Sequence, residues 1–173
     1  MMEQGCAHVY TGDGKGKTTA MLGLALRAYG AGLKVYIGQF IKSMEYHEIK
    51  AIRECLPGMV IETYGAGCFI MREPAQEDID AARRGFEKIT AAVFSGEYDV
   101  VMLDEINVAT DLKLIDAREV AELIRCRPPR VELVLTGRNA AQEVKDAADL
   151  VSEMLEIKHY YHNGVKARDG IER

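Results

Sequence analysis

A chain of 173 residues is the length of about one domain, and 48% apolar with 28% charged residues is the balance of a protein that builds a core, not a disordered one. Lys and Arg number 22 against 27 Asp and Glu, and the net charge of −5 excludes a nucleic-acid or anionic-membrane binder that works through bulk positive charge. Apolar runs fall far short of the roughly 18 residues a bilayer-spanning helix needs, no secretory leader is seen, and the four cysteines include no CxxC pair. The expectations are therefore one domain over residues 1–173, a cytoplasmic location, reduced thiols, and neither nucleic acid nor membrane as partner.

Short runs rich in Val, Ile and Leu alternate with longer segments of helical period, the pattern of an α/β protein with a mostly parallel sheet flanked by helices. A first strand at 7–10 runs into Thr11-Gly12-Asp13-Gly14-Lys15-Gly16-Lys17-Thr18-Thr19 and then into an apolar helix at 17–29. Glycines let the backbone turn its N–H groups inward, and the helix N-terminus adds positive potential. Lys17 supplies a mobile cation and Thr18 a hydroxyl for a magnesium ion, which together make a phosphate-binding loop. The loop is a variant: Thr11 stands where the first glycine of the usual pattern falls, Gly12 is one residue too close to Gly16, and Lys15 adds charge. The helix is apolar on nearly all sides, which predicts cover by its neighbours, and Gly30 and Gly32 stop it.

A second strand at 35–40 leads past Gln39 to Lys42, His47 falls in a polar turn, and a third strand is predicted at 60–64. The segment 75–94 spaces Ile79, Ala82, Phe86, Ile89 and Val93 by three and four residues, a core-facing helical stripe. A fourth strand at 100–104 ends in Asp104 and Glu105. Strand ends of an open parallel sheet line the ligand crevice, so these acids face the phosphate loop, one reaching the metal region and the other supporting the loop. Strands at 131–136 and 150–157 and helices at 117–125 and 139–147, the last with Asn139 as N-cap, complete the pattern. His159 and His162 lack further ligands at a supporting spacing and are not read as a metal site.

Taken together, the phosphate loop, Gly38-Gln39-Phe40-Ile41-Lys42, Leu103-Asp104-Glu105, Thr136-Gly137-Arg138 and the tail Lys158-His159…Gly164-Val165-Lys166-Ala167-Arg168-Asp169-Gly170-Ile171-Glu172 resemble the P-loop ATP:corrinoid adenosyltransferases. These are also called cob(I)alamin or cob(I)yrinic acid a,c-diamide adenosyltransferases. The resemblance implies a P-loop NTPase-like (RecA-like) fold. It also implies transfer of the 5′-deoxyadenosyl group of ATP to Co(I) of a reduced corrinoid, with release of triphosphate, in cobalamin biosynthesis or salvage. ATP would be held in a reversed sense, so that the triphosphate leaves whole. A flavin-dependent reductase supplying Co(I) and a homodimer are further implications.

Carried over by motif, Thr11, Gly12, Asp13, Gly14, Lys15, Gly16, Lys17, Thr18, Thr19 and Arg138 bind ATP. Lys17, Thr18 and Glu105 serve catalysis, and Thr18 and Glu105, supported by Asp104, hold Mg2+ or Mn2+. Gln39, Lys42, Phe69, Ile70 and His159 fall on the corrinoid side. Some members carry Gly-x-Gly-Phe-x-Trp there, whose rings help displace the lower axial ligand of the corrinoid. This chain reads Gly65-Ala66-Gly67-Cys68-Phe69-Ile70-Met71 and has no tryptophan, so Phe69 is expected to take over, with Ile70 or Met71 as apolar support. Some relatives also have a longer arm before the phosphate loop, and less shielding of the corrin is expected here. Two other classes share the loop: a P-loop small-molecule kinase, which usually needs an Arg-rich lid not found in the sequence, and a non-catalytic ATP- or corrinoid-binding carrier or sensor.

Overall fold

The computed structural model describes residues 3–42, 44, 46–65 and 73–172. Six strands, β1 Ala7–Thr11, β2 Val35–Phe40, β3 Met59–Tyr64, β4 Val100–Asp104, β5 Glu132–Thr136 and β6 Leu150–Glu153, form one sheet in the order β3-β2-β4-β5-β1-β6. All five pairings are parallel. Parallel neighbours need long return connections, and these carry α1 Lys17–Gly30, α2 His47–Cys55, α3 Gln76–Phe94, α4 Ile106–Asp111, α5 Ala117–Cys126 and α6 Gln142–Ala147. A 3₁₀ turn at Tyr160–Asn163 follows β6.

The sheet divides the core into two layers. On one face Met21 and Ala25 of α1 and Ile49 and Ile52 of α2 pack on Ile37, Met102 and Val134. On the other, Phe86 and Ile89 of α3, Ile106 of α4, Ile124 of α5 and Val144 of α6 cover Phe40, Val101, Leu103 and Leu135. Cover on both faces explains why β2 and β4 are buried at every position and read as unbroken apolar runs ending in a polar residue or its neighbour. Each such Val, Leu, Ile or Met side chain contributes about 1.5–3 kcal/mol on burial. The strand C-termini converge on one side, where the phosphate loop and Asp104 meet.

Several elements depart from expectation. The outer face of α1, with Ala20, Gly23 and Leu26, is exposed, and Leu26 keeps 56% of its surface, so this helix is covered on one side only. His47 opens α2 instead of lying in a turn. The helix expected from Asn139 begins at Gln142 with Ala141 at its cap, because Asn139 adopts φ 56° and donates to Asp111 Oδ2 at 2.8 Å. The last strand stops at Glu153, where the chain turns onto the phosphate loop. Cys6, Cys55 and Cys126 are free thiols, and no described helix is long and apolar enough to cross a membrane.

Candidate active site

The phosphate loop leaves β1 at Thr11 and enters α1 at Lys17. Gly12 and Gly16 hold φ of 91° and 119°, values that side chains with a Cβ resist. A Cβ at Gly12 or Gly14 would lie 2.5 or 2.7 Å from the Met154 carbonyl oxygen, so the loop is pressed against the chain leaving β6. Two backbone bonds fix that contact: the Gly14 N–H donates to Met154 O at 2.7 Å, and the Met154 N–H to Thr11 O at 2.8 Å. The Lys17 side chain folds into the loop and donates to Gly12 O at 2.6 Å and Gly14 O at 2.9 Å. Burial holds its pKa below that of an ordinary lysine, against the pull of Glu105. Its ammonium thus stands, desolvated, at the centre of the loop.

Across the crevice, β4 delivers Asp104 fully buried. A carboxylate has about four acceptor positions, and all are used. Oδ1 accepts from Thr18 Oγ1 at 2.9 Å and Thr136 Oγ1 at 2.6 Å, and Oδ2 accepts from Gln39 Nε2 at 3.1 Å and Lys42 Nζ at 3.0 Å. The Thr18 hydroxyl therefore ties the phosphate loop to β4. Glu105 follows in the left-handed region at φ 60°, held there by its N–H donating to Thr136 Oγ1 at 3.0 Å. Burial and then the neighbouring Asp104 raise its pKa, while Lys42, Lys17 and Arg138 oppose the rise. A second strained residue, Ile41, lies across from it at φ 66°. For a β-branched residue that conformation costs about 1–3 kcal/mol, and it turns Lys42 back toward β4.

The structure brings together Gly12, Gly14, Gly16, Lys17, Thr18, Asp104, Glu105 and, at the mouth, Arg138, whose Nη2 lies 3.4 Å from Asp13 O. Thr11 turns inward and its hydroxyl accepts from the Ala140 N–H at 3.2 Å; Thr19 lies exposed on α1. Gln39 and Lys42, placed on the corrinoid side by resemblance, are both drawn onto Asp104, and Gln39 is fully buried. Lys15 points away from the loop interior: its Nζ lies 2.6 Å from Glu172 Oε1 and donates to Tyr160 Oη at 2.8 Å. Glu172 also accepts from Tyr160 Oη and from Arg168. His159 caps the 3₁₀ turn by accepting from the Tyr161 N–H at 3.0 Å, and its ring centroid is 4.6 Å from that of Tyr160. Phe69, Ile70 and Met71 lie outside the described residues.

Thr136 was not singled out from sequence, although it touches both carboxylate-bearing residues. Its signal was a polar side chain closing an apolar strand that neighbours the phosphate-loop strand, through the pairing of Tyr10 with Thr136. Glu172, Tyr160 and Arg168 carried only the signal of lying within a recognisable tail.

The donor set suits a hard divalent ion. Mg2+ takes one or two protein oxygens and completes its shell with phosphate and water, and the Thr18 hydroxyl and Glu105 carboxylate are oxygens of that kind. Among the described residues no group of three or more His, Cys, Asp or Glu forms an all-protein cage.

Residues 3–173 match the family model described as ATP:corrinoid adenosyltransferase BtuR/CobO/CobP. The chain belongs to that family. It is similar to the corrinoid adenosyltransferase of a Sinorhizobium species, at 35% identity over 98% of this chain and 81% of the relative. The corrinoid adenosyltransferase of Escherichia coli K12 is 32% identical over 98% of this chain and 86% of its own length. That of Pseudomonas aeruginosa is 33% identical, covering 98% and 84%. As a member of the family the protein is an enzyme that adenosylates corrinoids.

Proposed function

We propose that this adenosyltransferase moves the 5′-deoxyadenosyl group of ATP to Co(I) of a reduced corrinoid and releases triphosphate. The observation that carries the proposal is the Thr18–Asp104 hydrogen bond at 2.9 Å, which joins a lysine-centred phosphate loop to a carboxylate pair in a chain of this family. Co(I) brings its own electron pair to C5′, so the reaction calls for no protein nucleophile. The work left to the protein is positioning, and stabilising the charge of the leaving triphosphate.

Lys17 exchanges the Gly12 and Gly14 carbonyls for phosphate oxygens, adding no new cation to the loop but replacing two weak acceptors with an anion. The loop glycines offer N–H groups, and Arg138 at the mouth reaches phosphate or nucleotide beside Asp13. Thr18 and Glu105 hold Mg2+ or Mn2+, which when bound neutralises part of the triphosphate charge, while Asp104 orients Thr18. ATP lies in the reversed sense, with C5′ toward the open crevice. Lys15 reaches the triphosphate by leaving Glu172, whose charge Arg168 and Tyr160 continue to satisfy. Phe69 and Ile70, as the resemblance implies, and His159 are assigned to the corrinoid. The proposal extends to residues 1–173 acting as one domain, to a cytoplasmic homodimer, to a flavin-dependent reductase as the source of Co(I), and to a place in cobalamin biosynthesis or salvage.

The test is an anaerobic spectrophotometric assay with chemically reduced cob(I)alamin, ATP and magnesium that identifies both products. Adenosylcobalamin with intact triphosphate is expected. Release of ADP would assign the site to phosphoryl transfer, and tight ATP binding without corrinoid alkylation would assign it to a carrier or sensor.

A further inference from the structure

We infer that Lys42 is a resident cation that keeps free divalent metal off the Asp104–Glu105 pair, so that metal enters with the nucleotide and not before it. The inference rests on the proposal that Thr18 and Glu105 hold the ion. Two adjacent carboxylates at the end of a buried strand would, left alone, attract any divalent cation in solution. Here the ammonium of Lys42 donates to Asp104 Oδ2 at 3.0 Å and stands 4.0 Å from Glu105 Oε1, close to both charges at once. It fills the last acceptor position of Asp104, the other three being taken by Thr18, Thr136 and Gln39. A divalent ion meeting this pair finds one negative charge already neutralised and no open lone pair on Asp104.

The chain is built to hold Lys42 in that place. β2 ends at Phe40, and an extended continuation would carry the next side chains out of the crevice. Instead Ile41 takes φ 66°, and the Lys42 N–H donates back to Phe40 O at 2.7 Å, a tight reversal directed at β4. Gly65, at the end of β3, braces the turn: a Cβ there would lie 2.6 Å from the Lys42 carbonyl carbon. Only 11% of the Lys42 side chain is exposed, and its ammonium also lies 5.5 Å from the centre of the Tyr46 ring. A lysine meant to reach a large substrate from a strand exit would not need a strained turn, a braced backbone and a buried carboxylate to hold it inward.

The block is partial by design. Glu105 stays one-fifth exposed with its oxygen 4.0 Å from the ammonium, so it remains able to contribute one oxygen. One carboxylate oxygen and one hydroxyl are too few to hold a strongly hydrated ion, but the triphosphate adds further oxygens and negative charge, and the shell then closes. Lys42 thereby acts as a positioning residue that sets the order of binding without touching the reacting atoms.

The test reads metal binding without catalysis. Mn2+ is titrated into nucleotide-free full-length protein at pH 8 and free ion is followed by electron paramagnetic resonance. Wild type and Lys42→Arg, which retain the cation, bind weakly. Lys42→Met binds at least tenfold more tightly, and adding Glu105→Gln to it abolishes the gain. Lys42→Gln, which keeps an N–H donor for Asp104 Oδ2, shows the same gain and replaces Lys42→Met if that variant fails to fold by circular dichroism. Affinity in both neutral variants equal to or below wild type overturns the inference, as does a gain that survives Glu105→Gln. A separate arm adds Mn2+ and ATP together, with a protein-free Mn2+–ATP control subtracted: wild type that retains no Mn2+ beyond that control, or retention undiminished in Thr18→Ala and Glu105→Gln, overturns the parent proposal that Thr18 and Glu105 hold the ion.

Discussion

The Thr136 hydroxyl donates to Asp104 Oδ1 and accepts from the Glu105 N–H, so one oxygen fixes the aim of one carboxylate and the strained backbone of the other. Thr136→Val keeps the shape and removes both bonds inside a fully buried site. Leaving those partners unsatisfied costs about 1–3 kcal/mol, which urea denaturation will show, together with slower turnover. Wild-type stability in that variant would mean that the two bonds are made good by water. Glu105 gives a prediction in pH. Its raised pKa means that the folded state retains a proton longer than the unfolded state as pH rises, so stability falls through the window between the unfolded and folded values and stays reduced above it. Glu105→Gln should unfold at a higher temperature than wild type at neutral pH, with the advantage closing on acidification into that window. A gap independent of pH would contradict burial as its source.

At the scale of elements, α3 shows how closely helix and sheet are fitted. Gly85 lies in mid-helix, where alanine is ordinarily better by about 1 kcal/mol, yet a Cβ there would come within 2.4 Å of Tyr64 Cγ. That ring is fixed from its far end, since Tyr64 Oη pairs with Tyr36 Oη and donates to Glu62 at 3.0 Å. Gly85→Ala is therefore expected to destabilise by about 1–3 kcal/mol in urea despite the gain in helix propensity; a stabilised variant would show that Tyr64 can move. β1 to β5 and the longer helices were legible because strands packed in the core leave apolar runs and α3 leaves a long periodic stripe, whereas the exposed β6 has no such run to mark its end at Glu153. α2 and α4 were not, since nine and six residues are too few to establish a period. The phosphate loop and the carboxylate pair were legible from residue type and order. What escaped was side-chain direction at the strand exits. Gln39 and Lys42 were visibly near a crevice, but only the left-handed turn at Ile41 decides that Lys42 points inward, and nothing in an isoleucine announces that turn.

Over the whole molecule, the segment after β6 is bonded to the loop between β1 and α1. Met154 is bonded to Thr11 and Gly14, and 18 residues further on Glu172 gathers Lys15, Tyr160 and Arg168. Those donors, Arg168 first and then Lys15 and Tyr160, hold the Glu172 carboxyl far below the usual carboxylate range. The contribution is thus present in full above the ordinary glutamate value and is lost progressively as pH falls below it toward the depressed folded value. Glu172→Ala should release the tail and accelerate tryptic cleavage after Lys158, Lys166 and Arg168 several-fold; unchanged cleavage would mean that Tyr160 stacking on Arg168 suffices to hold it.

The strand order also governs when the site can exist at all. β1, which launches the phosphate loop, pairs Ala7 with Leu133 and His8 with Leu150, so both its neighbours come from the last third of the chain. While the protein is being synthesised, β2, β3 and β4 can associate as each emerges, but β1 must wait unpaired for more than a hundred residues. Such distant pairings form slowly. The loop that β1 launches therefore takes its final shape only after β5 and β6 have been made, although its own residues are made long before theirs.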